Sequence, residues 1–256
     1  DSKPTVHVGH PGWGEATVTM TAPGVADLSA VFNQAPIDRL LAFSVPHIAA
    51  EIGQPATLKG EIEGTVSYPV LPEFLSGRVE LEMSSPLGQF DVQAEGAGYA
   101  WKVARLDAKA VGTTLKASGA IEEDGTVLAD ISLDAVEPRR VAESLSQWLP
   151  AVGGLAIDGG PIELRTRIGG SLTAQDVTAT VKWAEPVIGG QRVESLAAEA
   201  TGALDDLEWK AFASVSKTSS LTASGTARPL DGTANGVWEL RAEDVGELMA
   251  LVASPS

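Results

Sequence analysis

His7-Val8-Gly9-His10 places two imidazoles three positions apart, a spacing that raises the question of a metal. A carboxylate such as Asp1 or Glu15 would supply a further ligand. An i, i+3 histidine pair is a weak signature by itself, and the competing reading is an exposed N-terminal segment. His47 is the only other histidine, and no serine lies in a Gly-x-Ser-x-Gly turn, so no Ser–His–Asp arrangement is legible. Glu122-Glu123-Asp124 and Asp205-Asp206 have the composition of an acid–base pair or of calcium ligands. Both fall where turns are expected, and Asp and Glu at turns are ordinarily solvated surface charge. Neither an EF-hand spacing nor a phosphate-cradling glycine loop is present. The polar residues therefore predict no enzyme, no metal site and no cofactor.

The elements that would have to position any site point elsewhere. The 256 residues carry 18 Lys and Arg against 34 Asp and Glu, a formal net charge of −16. That balance argues against nucleic acid and against electrostatic attachment to anionic lipid headgroups, which both need a basic footprint. It leaves apolar contact with acyl chains open. Hydrophobic residues make up 44%, enough for a core. There is no cysteine, hence no disulfide, thiolate metal site or thiol nucleophile. No run of about 18 apolar residues could span a membrane as a helix. The first residues, Asp1-Ser2-Lys3-Pro4, and the last, Ala253-Ser254-Pro255-Ser256, read as cut edges of a longer chain or of a mature form.

The strongest organising signal is internal repetition. Thr114-Leu115-Lys116-Ala117-Ser118-Gly119 returns as Ser220-Leu221-Thr222-Ala223-Ser224-Gly225, 106 residues later. Pro55-Ala56-Thr57-Leu58 returns at the same offset as Pro161-Ile162-Glu163-Leu164, and Trp101-Lys102 returns as Trp209-Lys210. Repetition on this scale predicts an array of supersecondary units in place of one closed catalytic domain. The boundaries read as an N-terminal segment 1–19, a first module 20–132, a second module 133–239 and the start of a third unit at 240–256.

Within the modules the hydrophobic period is two. Leu58, Gly60, Ile62, Gly64 and Val66 alternate with polar or charged residues that include Lys59, Glu61 and Glu63. Val79, Leu81 and Met83 do so with Arg78, Glu80 and Glu82, and Val127, Ala129, Ile131 and Leu133 form a third such run. Val177, Ala179, Val181 and Trp183 form a fourth. Period two with one apolar face predicts half-buried antiparallel strands. Turns are expected at Asp124-Gly125, Gly169-Gly170, Gly189-Gly190 and Asp231-Gly232. Three stretches have helical period instead: Val25, Leu28, Val31 and Phe32 after Pro23; Val141, Leu145, Trp148 and Leu149 before Pro150; and Val245, Leu248, Met249 and Val252. Each follows a comparable ending, Met20-Thr21-Ala22, Leu133-Asp134-Ala135 or Leu240-Arg241-Ala242, so a short amphipathic helix opens each unit. Residues 37–53 suggest a further short helix interrupted by Pro46. Trp101 and Trp209 read as one structural anchor per module, whereas Trp183 and Trp238 lie on apolar strand faces.

A strand ending in Leu-x-Ala, a Val-Ala-x-Ser-Leu helix and then Gly-Pro-Ile-Glu-Leu-Arg-Thr-Arg-Ile-Gly-Gly-Ser-Leu (residues 160–172) together resemble the AsmA-like and TamB-like bacterial envelope proteins. The small type II secretion N protein is a neighbouring possibility. The resemblance covers most of 20–252 and is one of texture. It implies a periplasmic array anchored to the inner membrane by an N-terminal segment outside this chain. It also implies an open trough of strands with an apolar inside and passive transfer of phospholipid; it carries over no catalytic residues.

The expected fold is mostly β: repeated antiparallel strands in a curled, open sheet with short helices at the unit starts. The candidate lipid-facing residues are Leu58, Ile62, Val66, Val79, Leu81, Met83, Leu164, Ile168, Leu172 and Val181. The expected partner is a phospholipid or another acyl-chain lipid, with an envelope protein as a further partner and no nucleic acid. If the helices fill the trough, the same alternation makes a dry core. A second reading is an assembly component that binds protein through sheet edges. A third, a polysaccharide-active enzyme, has no acid–base constellation to support it.

Overall fold

Alternating apolar and polar residues become strands throughout the described chain. The computed structural model describes residues 3–36, 57–69, 71–85, 88–110, 112–140, 158–171, 173–188, 191–203, 205–228 and 233–242. The strands are β1 (Thr5–His10), β2 (Gly14–Ala22), β3 (Val25–Pro36), β4 (Thr57–Ser67), β5 (Ser76–Ser85), β6 (Gly88–Ala97), β7 (Ala100–Ala110), β8 (Thr113–Ile121) and β9 (Val127–Ala135). They continue as β10 (Ile162–Ser171), β11 (Ala174–Ala184), β12 (Val187–Ile188), β13 (Gln191–Arg192), β14 (Ser195–Ala203), β15 (Asp206–Ser214), β16 (Ser219–Arg228) and β17 (Thr233–Ala242). A 3-10 turn occupies Pro72–Phe74. Among the described residues fifteen strands form one antiparallel sheet in chain order, and β12 and β13 form a separate pair. The order begins, among the described residues, at β1 and ends at β17, which do not pair with each other, so the sheet is not closed into a barrel.

The chain divides into two compact units, residues 1–110 with 116–127, and residues 111–115 with 128–256. Strand by strand, the repeat is visible in both. β6, β7, β8 and β9 correspond to β14, β15, β16 and β17, and β4 corresponds to β10. β5 and β11 hold the same place in the pairing order at a different sequence offset, because the link 68–75 shrinks to 172–173 in the second copy. The segment 185–194, which carries β12 and β13, restores the offset where the first copy has only 86–87.

Two expectations fail. Residues 25–32 are not helical but lie in β3, paired on one side with β2 and on the other with β4. The helical stripe there is an accident of spacing. Leu28 and Phe32 lie on the apolar side with Ala26 and Ala30, whereas Val25 and Val31 lie on the other. Two-sided strand pairing outweighs a periodicity that spans barely two turns. The strand that pairs with β4 at the start of the first unit is consequently β3, which ends at Pro36, not a strand that ends at Ala22. Ala35 and Ala135 are both sheltered between neighbouring strands, with 0% and 3% exposure. Second, Gly169 and Gly170 lie inside β10, opposite Asp176 and Gln175. The reversal comes after Ser171, whose hydroxyl accepts the Ala174 amide at 3.1 Å.

The turn at Asp124-Gly125 is present. Gly125 has φ 81°, and its amide donates to the Glu122 carbonyl at 2.9 Å. The helices expected at 141–149, 245–252 and 37–53, and the turns at Gly189-Gly190 and Asp231-Gly232, lie outside the described residues, as do Leu172, Trp148 and His47.

Candidate functional site

The pairing register sorts side chains into two faces. In the first unit, one face carries cross-strand rows. Ala35, Leu58, Met83, Phe90 and Ala108 make one row. Phe32, Gly60, Leu81, Val92 and Leu106 make the next, followed by Ala30, Ile62, Val79, Ala94 and Val103. Val66 sits opposite Ala26 near the end of the same face and is 42% exposed. The second unit repeats the arrangement. Leu133, Leu164, Val181, Ala198, Ala211, Ala223 and Trp238 form one row across seven strands. Ala129, Ile168, Val177, Gly202 and Leu207 form another. The structure thus brings Leu58, Ile62, Val66, Val79, Leu81 and Met83 onto one face, and Leu164, Ile168 and Val181 onto its counterpart in the second unit.

Sequence reading missed Phe90, Val92, Val103 and Leu106. On β6 the alternation of Phe90, Val92 and Ala94 was available. On β7 it was not, because a bulge opposite Gln93 and Ala94 makes Ala104 an extra residue. Val103 and Leu106 therefore share a face although they are three apart.

These rows are only partly sheltered. Every candidate that is described, apart from the more exposed Val66, is of intermediate exposure. The buried apolar residues are mostly small: Ala30, Ala35, Ala135, Val177, Val193, Leu207 and Ala213. Extensive contacts among the described elements join sheet neighbours and the turn at Pro72–Phe74; none of the described strands lies across the apolar rows as a second layer. An antiparallel sheet normally gains its stability by covering one such face.

Tryptophans anchor the rows over glycines. A Cβ at Gly96 would collide with the Trp101 ring, and one at Gly236 would lie 2.6 Å from Cζ2 of Trp209. Trp101 Nε1 donates to the Gly98 carbonyl at 3.1 Å, and Trp183 Nε1 to the Gly160 carbonyl at 3.2 Å. Both of these indoles are half-buried and keep a partner for the N–H.

The opposite face is charged. In the first unit Lys59, Glu82, Asp91 and Asp107 form one row, and Glu61, Glu80, Gln93 and Arg105 the next. A depression of about 440 Å³ opens there, lined by residues that include Lys59, Glu61, Glu80, Asp91 and Arg105. Two contacts cross it: Arg105 pairs with Asp91, and Gln93 Nε2 donates to Glu80 at 3.3 Å. The Asp91 carboxylate holds the Arg105 guanidinium above its ordinary pKa. In the second unit Arg165 meets Asp134 at 2.8 Å and Arg167 meets Asp130 at 2.9 Å.

The polar candidates do not converge. His7 and His10 are an odd number apart on β1, so their side chains leave opposite faces. The His7 ring contacts the Thr17 hydroxyl at 2.9 Å, and the His10 ring stacks on Trp13 at 3.7 Å. Asp124 Oδ1 accepts the Thr126 amide at 2.8 Å, and this bond, with a second to the Thr126 side chain, lowers its pKa. Asp206 begins β15 opposite Ala203. Among the described residues no group of three or more His, Asp or Glu could hold a metal ion. Comparison with protein-family models, curated proteins and solved structures finds no match to this chain.

Proposed function

We propose that the apolar face of each unit binds the acyl chains of a phospholipid, and that this chain is a lipid-binding or lipid-conducting segment of a periplasmic envelope protein of the AsmA-like or TamB-like type. The observation that carries the reading is the succession of largely apolar cross-strand rows, half-exposed and without a described layer over them. An acyl chain gains about 0.8 kcal/mol per CH₂ that leaves water, so such a face can hold lipid without specific polar contacts. Headgroups would stay in water while chains slide along Leu58, Leu81 and Val92 or along Leu164, Val181 and Ala198. The charged face keeps the array soluble. Nothing in this mechanism requires a bond to be made or broken.

The reading is tested by native mass spectrometry of the chain purified without detergent. Phospholipid adducts are expected, and they should be lost in Ile62→Glu and Ile168→Glu proteins that retain the wild-type far-UV circular dichroism. Absence of adducts from the wild-type protein would contradict it. So would glutamate variants that unfold outright, because that outcome belongs to a dry core.

A further inference from the structure

Three connections lie at one end of the strands of the first unit: β2–β3 at Pro23-Gly24, β4–β5 at 68–75 and β6–β7 at Gly98-Tyr99. Backbone hydrogen bonds join them into one rim. The Tyr68 amide donates to the Gly24 carbonyl at 2.7 Å, and the Gly98 amide to the Leu75 carbonyl at 2.7 Å. The longest of the three is also held at its base by the buried Ser67. Its hydroxyl donates to the Pro69 carbonyl and accepts the Leu71 amide, both at 2.9 Å.

This tethered backbone presents apolar and aromatic side chains to water. Tyr68 is 89% exposed, Tyr99 68%, Phe74 44% and Leu71 39%. Single exposed apolar side chains are ordinary, but a group of them on one rim marks a surface made to be covered. Across residues 22–26, 66–77 and 96–101 Glu73 is the only charge, in a chain where 20% of residues are charged. The counterparts of these connections in the second unit differ. The β10–β11 link is only 172–173, and Asp205-Asp206 stand where β14 turns into β15.

We propose that this rim docks on the surface of a zwitterionic phospholipid layer. That a lipid layer is the occupant rests on the acyl-chain reading, because the apolar face runs up to the rim: Met20, Ala26 and Val66 form a cross-strand row beside it, with Met20 and Val66 exposed. Tyrosine suits such a boundary, since its ring enters the interfacial region while its hydroxyl stays with water. Phe74 and Leu71 add apolar area to the contact. The rim holds no cation and the chain carries a net charge of −16, so attraction to anionic headgroups does not drive the docking.

The chain has no cysteine, so Glu73→Cys carries a unique environment-sensitive fluorophore. Phosphatidylcholine vesicles added to the whole chain should shift its emission to the blue and leave the same label at Asp206→Cys in the second unit unshifted. Flotation of the unlabelled chain with these vesicles should not fall with salt. It should weaken about tenfold or more in the Tyr68→Ser/Phe74→Ser/Tyr99→Ser protein, which is altered only at exposed positions and should keep the wild-type far-UV circular dichroism. No flotation of the wild type, binding only when anionic lipid is included, equal shifts at the two labels, or undiminished flotation of the triple variant would overturn the proposal. So would self-association of the wild type that the triple variant abolishes, since a second copy would then be the occupant. Vesicle docking by a chain that shows no lipid adducts in native mass spectrometry would sink the acyl-chain reading and keep the rim; adducts without docking would do the reverse.

Discussion

At the scale of residues, the glycines and carboxylates have assigned work. Gly236→Ala places a methyl 2.6 Å from Trp209 Cζ2 and 2.8 Å from the Ser224 carbonyl, so it should destabilise by about 1–3 kcal/mol in urea unfolding. Gly169→Ala is the control. Its nearest neighbour is Leu128 Cδ2 at 4.0 Å, and the change should stay within about 0.5 kcal/mol or stabilise slightly. Asp124 should titrate below the usual aspartate range in an NMR pH series, because the Thr126 amide bonds to its charged form. A depressed folded pKa contributes stability above the unfolded value of about 3.9 that is lost as pH falls through the folded pKa. Asp124→Ala should remove that acid-side loss. The Arg167–Asp130 pair, with both side chains more than half exposed, should show a coupling under about 1 kcal/mol in a double-mutant cycle, shrinking with salt. Most of this was legible only as residue type. The sequence marks Asp124-Gly125 as a turn, but nothing in it says that Gly96 admits an indole from the adjacent β7 and Gly236 one from β15, two strands away.

At the scale of elements, register decides which face a side chain meets. Deleting Ala104 removes the bulge of β7 and leaves a regular strand, in which Val103 still faces Ala94 and Arg105 still faces Gln93. No side chain changes face, so the deletion should stay within about 1 kcal/mol of the wild type. Deleting Lys102 shortens the strand by the same amount but sends either Val103 to the charged face or Trp101 away from Gly96. A loss on the order of 2 kcal/mol is expected there, the transfer value of one large apolar side chain, and denaturant midpoints of the two variants compare them directly. The strands around Leu58, Val79, Val127 and Val177 were legible because their alternation is clean. β3 was not, since Val25, Leu28, Val31 and Phe32 fit a helix as well as a strand, and only partners far along the chain decide between them. The same holds for the bulge in β7, which breaks the period that would have revealed Val103 and Leu106. Gly169-Gly170 misled for a related reason: glycine marks turns, but it also lets neighbouring backbones approach within a sheet.

At the scale of the whole molecule, the repeat preserves a surface and lets the polar chemistry drift. Leu58 and Ile62 return as Leu164 and Ile168, whereas Lys59 and Glu61 return as Arg165 and Arg167. The pairing register now shows each apolar pair lying in a row that runs across several strands of its own unit. The central claim is that acyl chains lie on these rows. It is tested most directly by photo-crosslinking the chain with a phospholipid that carries a diazirine in its acyl chain, then mapping the labelled residues by peptide mass spectrometry. Apolar residues exposed on the charged face, Val31, Phe212 and Leu128, serve as internal controls. The account predicts label at Leu81, Val92 and Leu106 in the first unit and at Leu164 and Val181 in the second, with none at the controls. Label spread equally over both faces, or confined to Val31, Phe212 and Leu128, would contradict it.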